Sequence, residues 1–311
     1  MFIAGKSCYN KFIEYVFTFY SNYVKKSIMG RWSAGIEKYS TFLNIPQRLE
    51  SRDFIFPYLV GLIEGDGWFS ISKKGMYLMY EFGIEVSVKD VQLLYKIKSL
   101  LGVGSIFFRY KERKEKDLEK INNMVIYRVR NKSHLKEIIL PIFDKYPMLS
   151  SKQFDYIRFK SHLLSGVIYS EDLLHYNRPK LPINSMKNMI NNYYFPAWLV
   201  GFIEAESSFS IYKPSKDSSL VASFEITQTN GEILMLAICT YLKLSGKIGK
   251  DFTNNFKIKV SSIRNIDNII KFMNKAPIKL LGYKKTQYLL WLKNLRTIPR
   301  YYTKINIPFY Y

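Results

Sequence analysis

Two short apolar runs stand out from the mixed pattern of the chain, and they match each other. LVGLIEGDG at 59–67 reappears as LVGFIEAES at 199–207. Read with a helical period, Gly61 and Gly65 share one face, as do Gly201 and Ala205. Small residues at this spacing let two helix backbones approach closely. Each run is too short, and too acidic at its end, to span a bilayer. Two copies in one chain predict two helices packed about a pseudo-two-fold axis. Asp66 and Glu206 then emerge side by side at the same end.

After each run the period changes from helical to alternating. Residues 69–73 alternate, Lys74 and Gly75 turn, and 77–88 return as a second strand. Asp90 is placed to N-cap a helix over 91–101, which Gly102 closes. Residues 105–110 and 125–130 predict a second hairpin around the charged loop KERKEKDLEK, followed by helices at 133–145 and 152–164. The second copy repeats the order. Strands are expected at 209–213, 223–228 and 256–260, with helices at 233–244 (ending near Gly246), 265–274 and 284–295. Pro57 is expected in the first turn of the first motif helix, and Gly67 left-handed just past its end.

The expected fold is α+β: two pseudo-symmetric αββαββα repeats joined through the motif helices. Each repeat is a four-stranded antiparallel sheet with helices on one face. Residues 1–52 form an N-terminal extension, 53–164 the first repeat, 165–194 a linker with Pro179 and Pro182, and 195–311 the second repeat. Repeats of this length indicate a duplicated domain rather than a solenoid.

The other face of each sheet must be wet or covered by something. Its candidate residues are Ser70, Ser72, Lys73, Arg109, Lys111, Arg128 and Arg130 in the first repeat. Ser210, Tyr212, Lys257 and Lys259 take that place in the second. A two-stranded ribbon fits the major groove of DNA, where Arg and Lys read guanine. If each sheet covers one helical turn, the double-stranded site is roughly 20 base pairs long.

Charge strengthens that reading. The chain of 311 residues holds 47 Lys and Arg against 25 acids, a net charge of +22. Such a balance points to a polyanion, and without an apolar stretch of membrane-spanning length nucleic acid is favoured over a bilayer. Cys8 and Cys239 are the only cysteines and His134, His162 and His175 are scattered, which excludes a disulfide framework and a multi-cysteine zinc site. Lys, Asn, Ile, Tyr and Phe, whose codons are rich in A and T, are abundant, a hint of an A/T-rich genome. Residues 1–52 carry aromatic and basic residues without a period. They fit a targeting segment poorly because of Glu14 and Glu37, and read-through from an upstream exon is the alternative.

A carboxylate in the last turn of a helix faces the negative end of the macrodipole, costing roughly 0.3–1 kcal/mol. It happens twice here, with Glu64 and Glu204 adding to it. The arrangement makes sense around a cation, and oxygen ligands favour a hard ion such as Mg²⁺ (or Mn²⁺).

Both motifs, each followed by Phe-Ser-Ile, resemble the two signature copies of single-chain LAGLIDADG homing endonucleases. The chain looks most like the endonuclease–maturases of group I introns in fungal mitochondrial cytochrome b genes. The resemblance covers residues 53–311. It implies metal-dependent hydrolysis of both strands of a DNA target by a monomer in the mitochondrion. It further implies that Asp66 and Glu206 hold the metal with the backbone carbonyls of Gly65 and Ala205. Lys152 and Lys284 hold matching places before the last helix of each repeat, with Lys285 as an alternative, and would stabilise the phosphate or assist water ionisation. Gln228 matches a water-positioning residue, where Val88 stands in the first repeat. Ser207 departs from the usual Gly. A left-handed residue there would be strained by about 1 kcal/mol and would weaken cleavage. Relatives of this kind also bind their own intron RNA and assist its splicing, so a protein that is mainly a maturase is the alternative. A non-catalytic DNA-binding regulator is the third.

Overall fold

The computed structural model describes residues 52–109, 123–166, 169, 176–215 and 219–311. The N-terminal extension, the KERKEKDLEK loop with Lys111, and part of the linker lie outside them. Helix α1 (Arg52–Asp66) leads directly into β1 (Gly67–Lys74) and β2 (Tyr77–Ser87), then α2 (Val91–Leu101), β3 (Ser105–Arg109) and β4 (Met124–Val129). A helix of three pieces follows (α3: Lys132–His134, a π turn at Leu135–Ile139, and Leu140–Lys145), and α4 (Lys152–Leu164) closes the repeat. The π turn relieves Pro141, which lacks an N–H and would clash with the carbonyl one turn back.

A short helix in the linker, α5 (Met186–Ile190), precedes the second motif helix α6 (Phe195–Glu206). The second repeat then runs β5 (Ser207–Tyr212), β6 (Val221–Thr229), α7 (Glu232–Tyr241), β7 (Gly249–Lys250), β8 (Asn255–Val260), α8 (Ile263–Lys275) and α9 (Tyr283–Leu295). A last turn, α10, covers Pro299–Tyr302. Each repeat therefore carries the expected αββαββα order with one more helix after it, and the second repeat adds the short α10. The sheets have the orders β1-β2-β4-β3 and β5-β6-β8-β7, antiparallel throughout.

The two cores are built alike. Phe69 meets the rings of Phe82, Phe143, Tyr156 and Phe159 in tilted or edge-on contacts. Phe209 does the same with Phe224, Tyr288 and Trp291. Between them α1 and α6 meet face to face. A Cβ on Gly61 would overlap the carbonyl oxygen of Trp198, and one on Gly201 that of Tyr58. Gly65 likewise faces the Cβ of Ala205.

Three local expectations change. Helix α1 begins at Arg52, so Pro57 lies inside it rather than in its first turn. Asp90 makes no side-chain cap on α2. Its Oδ1 instead accepts from the Tyr283 N–H (2.6 Å), capping α9 of the other repeat. Gly67 has no positive φ, because β1 starts without a left-handed residue. Gly102 and Gly75, by contrast, are left-handed at φ 70° and 63°.

Replacing Gly61 by Ala should force the motif helices apart and destabilise the protein by about 3 kcal/mol or more. Urea denaturation measures this, and an unchanged midpoint would mean that the helix contact is not tight.

Candidate active site

The motif helices end where two sheets begin, and their tips bring Asp66 and Glu206 together. Burial first, and then the charge of Glu206, push the Asp66 carboxyl up to about 7. Glu206 is also raised, by burial. A cavity of about 180 Å³ opens beside Asp66, lined by Glu85, Val86, Asp90, Glu204, Lys284 and Gln287 among others. Both repeats thus contribute to one recess.

The inner acids of the motifs do different work. Glu64 is fully buried and accepts from the N–H groups of Leu149 (3.1 Å) and Ser150 and from the Trp198 indole (2.7 Å). Glu204 accepts from Leu281 N–H (2.8 Å) and the Tyr58 hydroxyl (2.9 Å). Each glutamate ties its own repeat's last loop to an aromatic residue of the opposite motif helix. They are structural acids.

Lys152 lies buried, and its ammonium donates to the carbonyls of Ile63 (3.3 Å), Gly65 (3.0 Å) and Gly67 (2.8 Å). Lys284 donates to the carbonyl of Ser207. Burial lowers both ammonium groups below the ordinary lysine value, against the pull of the nearby acids. Positive charge at the helix ends offsets the macrodipole problem posed by two terminal carboxylates. Lys284 is the lysine that reaches the motif, whereas Lys285 lies near Lys96 and Lys279.

Ser207 sits in extended backbone (φ −103°, ψ 163°), and its hydroxyl donates to Ile203 O at 2.6 Å. The expected left-handed strain is absent. Strand register also moves the partner of Gln228. Gly67 pairs with Ile84 and Ser207 with Ile226, so Gln228 matches Val86 and not Val88. The β5–β6 hairpin is longer than the β1–β2 hairpin, which shifts the count by two. Val86 lines the cavity at Asp66, and Gln228 takes the equivalent position in the other repeat, its buried Oε1 without a hydrogen-bond partner among the described residues.

On the open sheet faces, strand parity groups Ser70, Ser72, Arg109, Arg128 and Arg130 in the first repeat and Ser210, Tyr212, Lys257 and Lys259 in the second. Lys73 is the exception: it shares the parity of Phe69 and Ile71, and Lys74 occupies the open face. The Arg128 guanidinium lies 3.8 Å over the Phe107 ring. Sequence reading missed Trp68, Glu81, Glu85 and Glu225 on the same faces. Their alternation with Phe82, Ile84, Phe224 and Ile226 was the available signal.

A double-motif fold with paired acids at the helix tips defines a class, and the comparisons agree. The LAGLIDADG endonuclease family model matches residues 59–163 and again 199–295. The chain belongs to the LAGLIDADG endonuclease family. The probable intron-encoded endonuclease Cox1-I1b of Schizosaccharomyces pombe is 30% identical over 260 residues, covering 77% of this chain and 63% of that protein. The mitochondrial protein RF1 of Saccharomyces cerevisiae is 29% identical, covering 69% of this chain and 46% of that one. The chain thus spans 46–63% of the length of these two relatives. The endonuclease I-SmaMI bound to uncleaved DNA with calcium ions is 25% identical, with a TM-score of 0.59, covering 80% of this chain and 96% of that one. Bound to cleaved DNA, I-SmaMI is 26% identical with a TM-score of 0.61, covering 78% and 89%.

A raised carboxyl pKa has a sign that can be tested. The folded value of Asp66, about 7, lies above its ordinary 3.8, so its contribution to stability is full below pH 3.8 and is lost as pH rises towards 7. In chelator, the melting temperature of the wild type should fall across that window more than that of Asp66→Asn. Parallel profiles would show that Asp66 is not held in a charge-disfavouring place.

Proposed function

We propose that the protein is a site-specific, metal-dependent homing endonuclease that hydrolyses one phosphodiester on each strand of a DNA duplex. The observation that carries this is the junction of Asp66 and Glu206 from opposite repeats, with Lys152 and Lys284 anchored at the same two helix tips. A divalent ion suits this donor set. Two hard oxygen ligands stand in a place that raises their proton affinity, and a cation that replaces the proton removes that penalty.

Asp66 and Glu206 would hold Mg²⁺ (or Mn²⁺), with the carbonyls of Gly65 and Ala205 as further donors. When bound, the ion supplies activated water and neutralises charge on the phosphate. Lys152 and Lys284 place positive charge near the two scissile phosphates. Gln228, with its free amide oxygen, orients water beside the Glu206 tip. Each open sheet lies along about one turn of the major groove, giving a site of roughly 20 base pairs. One chain supplies both motif helices, so a monomer suffices. The mitochondrion is the compartment this reading favours, since RF1 is a mitochondrial protein.

Asp66→Asn should reduce cleavage of the DNA target in Mg²⁺ by at least roughly 100-fold while the gel-shift affinity stays near wild type. Undiminished cleavage would sink the assignment. Retained affinity without any wild-type cleavage would leave the non-catalytic regulator.

A second reading rests on charge away from the sheets. Lys98, Lys136, Lys145, Lys275 and Lys293 are exposed on helices, which cover the faces opposite the DNA side. Such a surface suits the folded intron RNA of a maturase, whose shape and phosphates it would meet. Under this reading Asp66→Asn still accelerates splicing of the host group I intron in a purified assay. No acceleration by either protein counts against it.

A further inference from the structure

The open sheet faces carry carboxylates exactly where a polyanion would lie unless something else explains them. Glu81 accepts from the Trp68 indole (3.0 Å) and from Arg130 Nε (2.5 Å). Glu85 pairs with Arg109. Glu225 pairs with Lys257 (2.9 Å) and Lys259 (3.7 Å). The acids are the more buried partners, at 12%, 22% and 25% side-chain exposure, and the cations reach outwards at 43–53%. Trp68 lies flat across the sheet over Gly83, where a Cβ would strike its ring, so Glu81 is gripped from two sides.

Ion pairs this exposed add little to stability, and an uncompensated carboxylate repels phosphates. Neither effect explains three of them on the faces that meet DNA. Base edges do. In the major groove a G·C pair presents the O6 and N7 acceptors of guanine beside the N4 amino donor of cytosine. A cation and a carboxylate held together match that pattern: the Arg or Lys donates to guanine, and the Glu accepts from cytosine.

We infer that Glu81, Glu85 and Glu225 are specificity-determining residues which, with the cations they hold, select G·C pairs in the target. The inference rests on the DNA-cleaving reading above. It also fixes positions. Glu81 and Glu85 are four residues apart on β2, about 13 Å, close to four base-pair steps. Ile84 pairs with Gly67 at the motif end, so the Glu85 position lies nearer the centre of the site. Glu225, opposite Ser208 beside the second motif, reads the other half.

The test is binding selection from a library randomised across the target, using wild type, E81Q, E85Q and E225Q, with thermal unfolding as the control for folding. Each variant should lose preference for G·C at one position by roughly 5- to 100-fold. The E81Q and E85Q positions should fall about four base pairs apart in one half-site. Affinity for unrelated DNA should rise, because a charge opposing the phosphates is gone. Unchanged selection profiles in correctly folded variants would overturn the inference, as would affinity falling equally on every sequence. A wild type that selects no sequence at all would instead sink the proposed function itself.

Discussion

The contact between two helix backbones at Gly61 and Gly201 sets the positions of everything else. At these residues each helix lies against a carbonyl of the other, with no room for a side chain. Such an approach fixes the separation and rotation of α1 and α6 as no interleaved layer of leucines could, because the limit is set by backbone atoms that cannot change rotamer. The acids at the helix tips inherit that accuracy. Asp66 and Glu206 are one residue from the strands they lead into, so the same contact also fixes the start of each sheet.

A second set of bonds crosses the seam and makes the repeats depend on one another. The indole of Trp198 serves Glu64, the hydroxyl of Tyr58 serves Glu204, and Asp90 of the first repeat caps α9 of the second. Buried carboxylates demand partners, and burial raises both Glu64 and Glu204 despite the donors around them. The partners they find are the loops just before α4 and α9, the helices that carry Lys152 and Lys284. Placement of the acids and of the lysines is therefore one mechanical problem. Carbonyls at the helix ends hold the ammonium groups, and the ammonium groups offset the charge of the acids.

Much of this was legible in the chain because the motif is duplicated and its period is clean. The two helices, the order of elements along each repeat and the matching places of the two lysines follow from two matching patterns. What escaped has particular physical causes. The parity error at Lys73 arose at the frayed end of β1, where both Lys73 and Lys74 are exposed and the alternation loses contrast. Matching Gln228 to Val88 failed because a longer hairpin in the second repeat shifts the register without leaving a periodic trace. Strand β7 has two residues, too few to show any period. Asp90 looked like a local cap, and only tertiary structure brings α9 within its reach. The supposed strain at Ser207 came from treating the helix end as a left-handed cap, whereas an extended residue passes directly into the strand.

The pairs related by the pseudo-two-fold show where duplication leaves freedom. Gly61 and Gly201, Glu64 and Glu204, and Lys152 and Lys284 are the same residue in both repeats, and each lies at the seam or is tied to it. Where the constraint weakens, the residues differ. Asp155 and Gln287 stand one turn beyond the two lysines. Asp155 is held by Tyr176 and Arg178 of the linker, while Gln287 faces the cavity at Asp66. Gln228 opposite Val86 is a difference of the same kind, a buried amide where the other repeat has an apolar side chain. Two nearly equivalent acidic helix tips are consequently set in two unlike surroundings, and the surroundings, more than the tips, distinguish the two repeats.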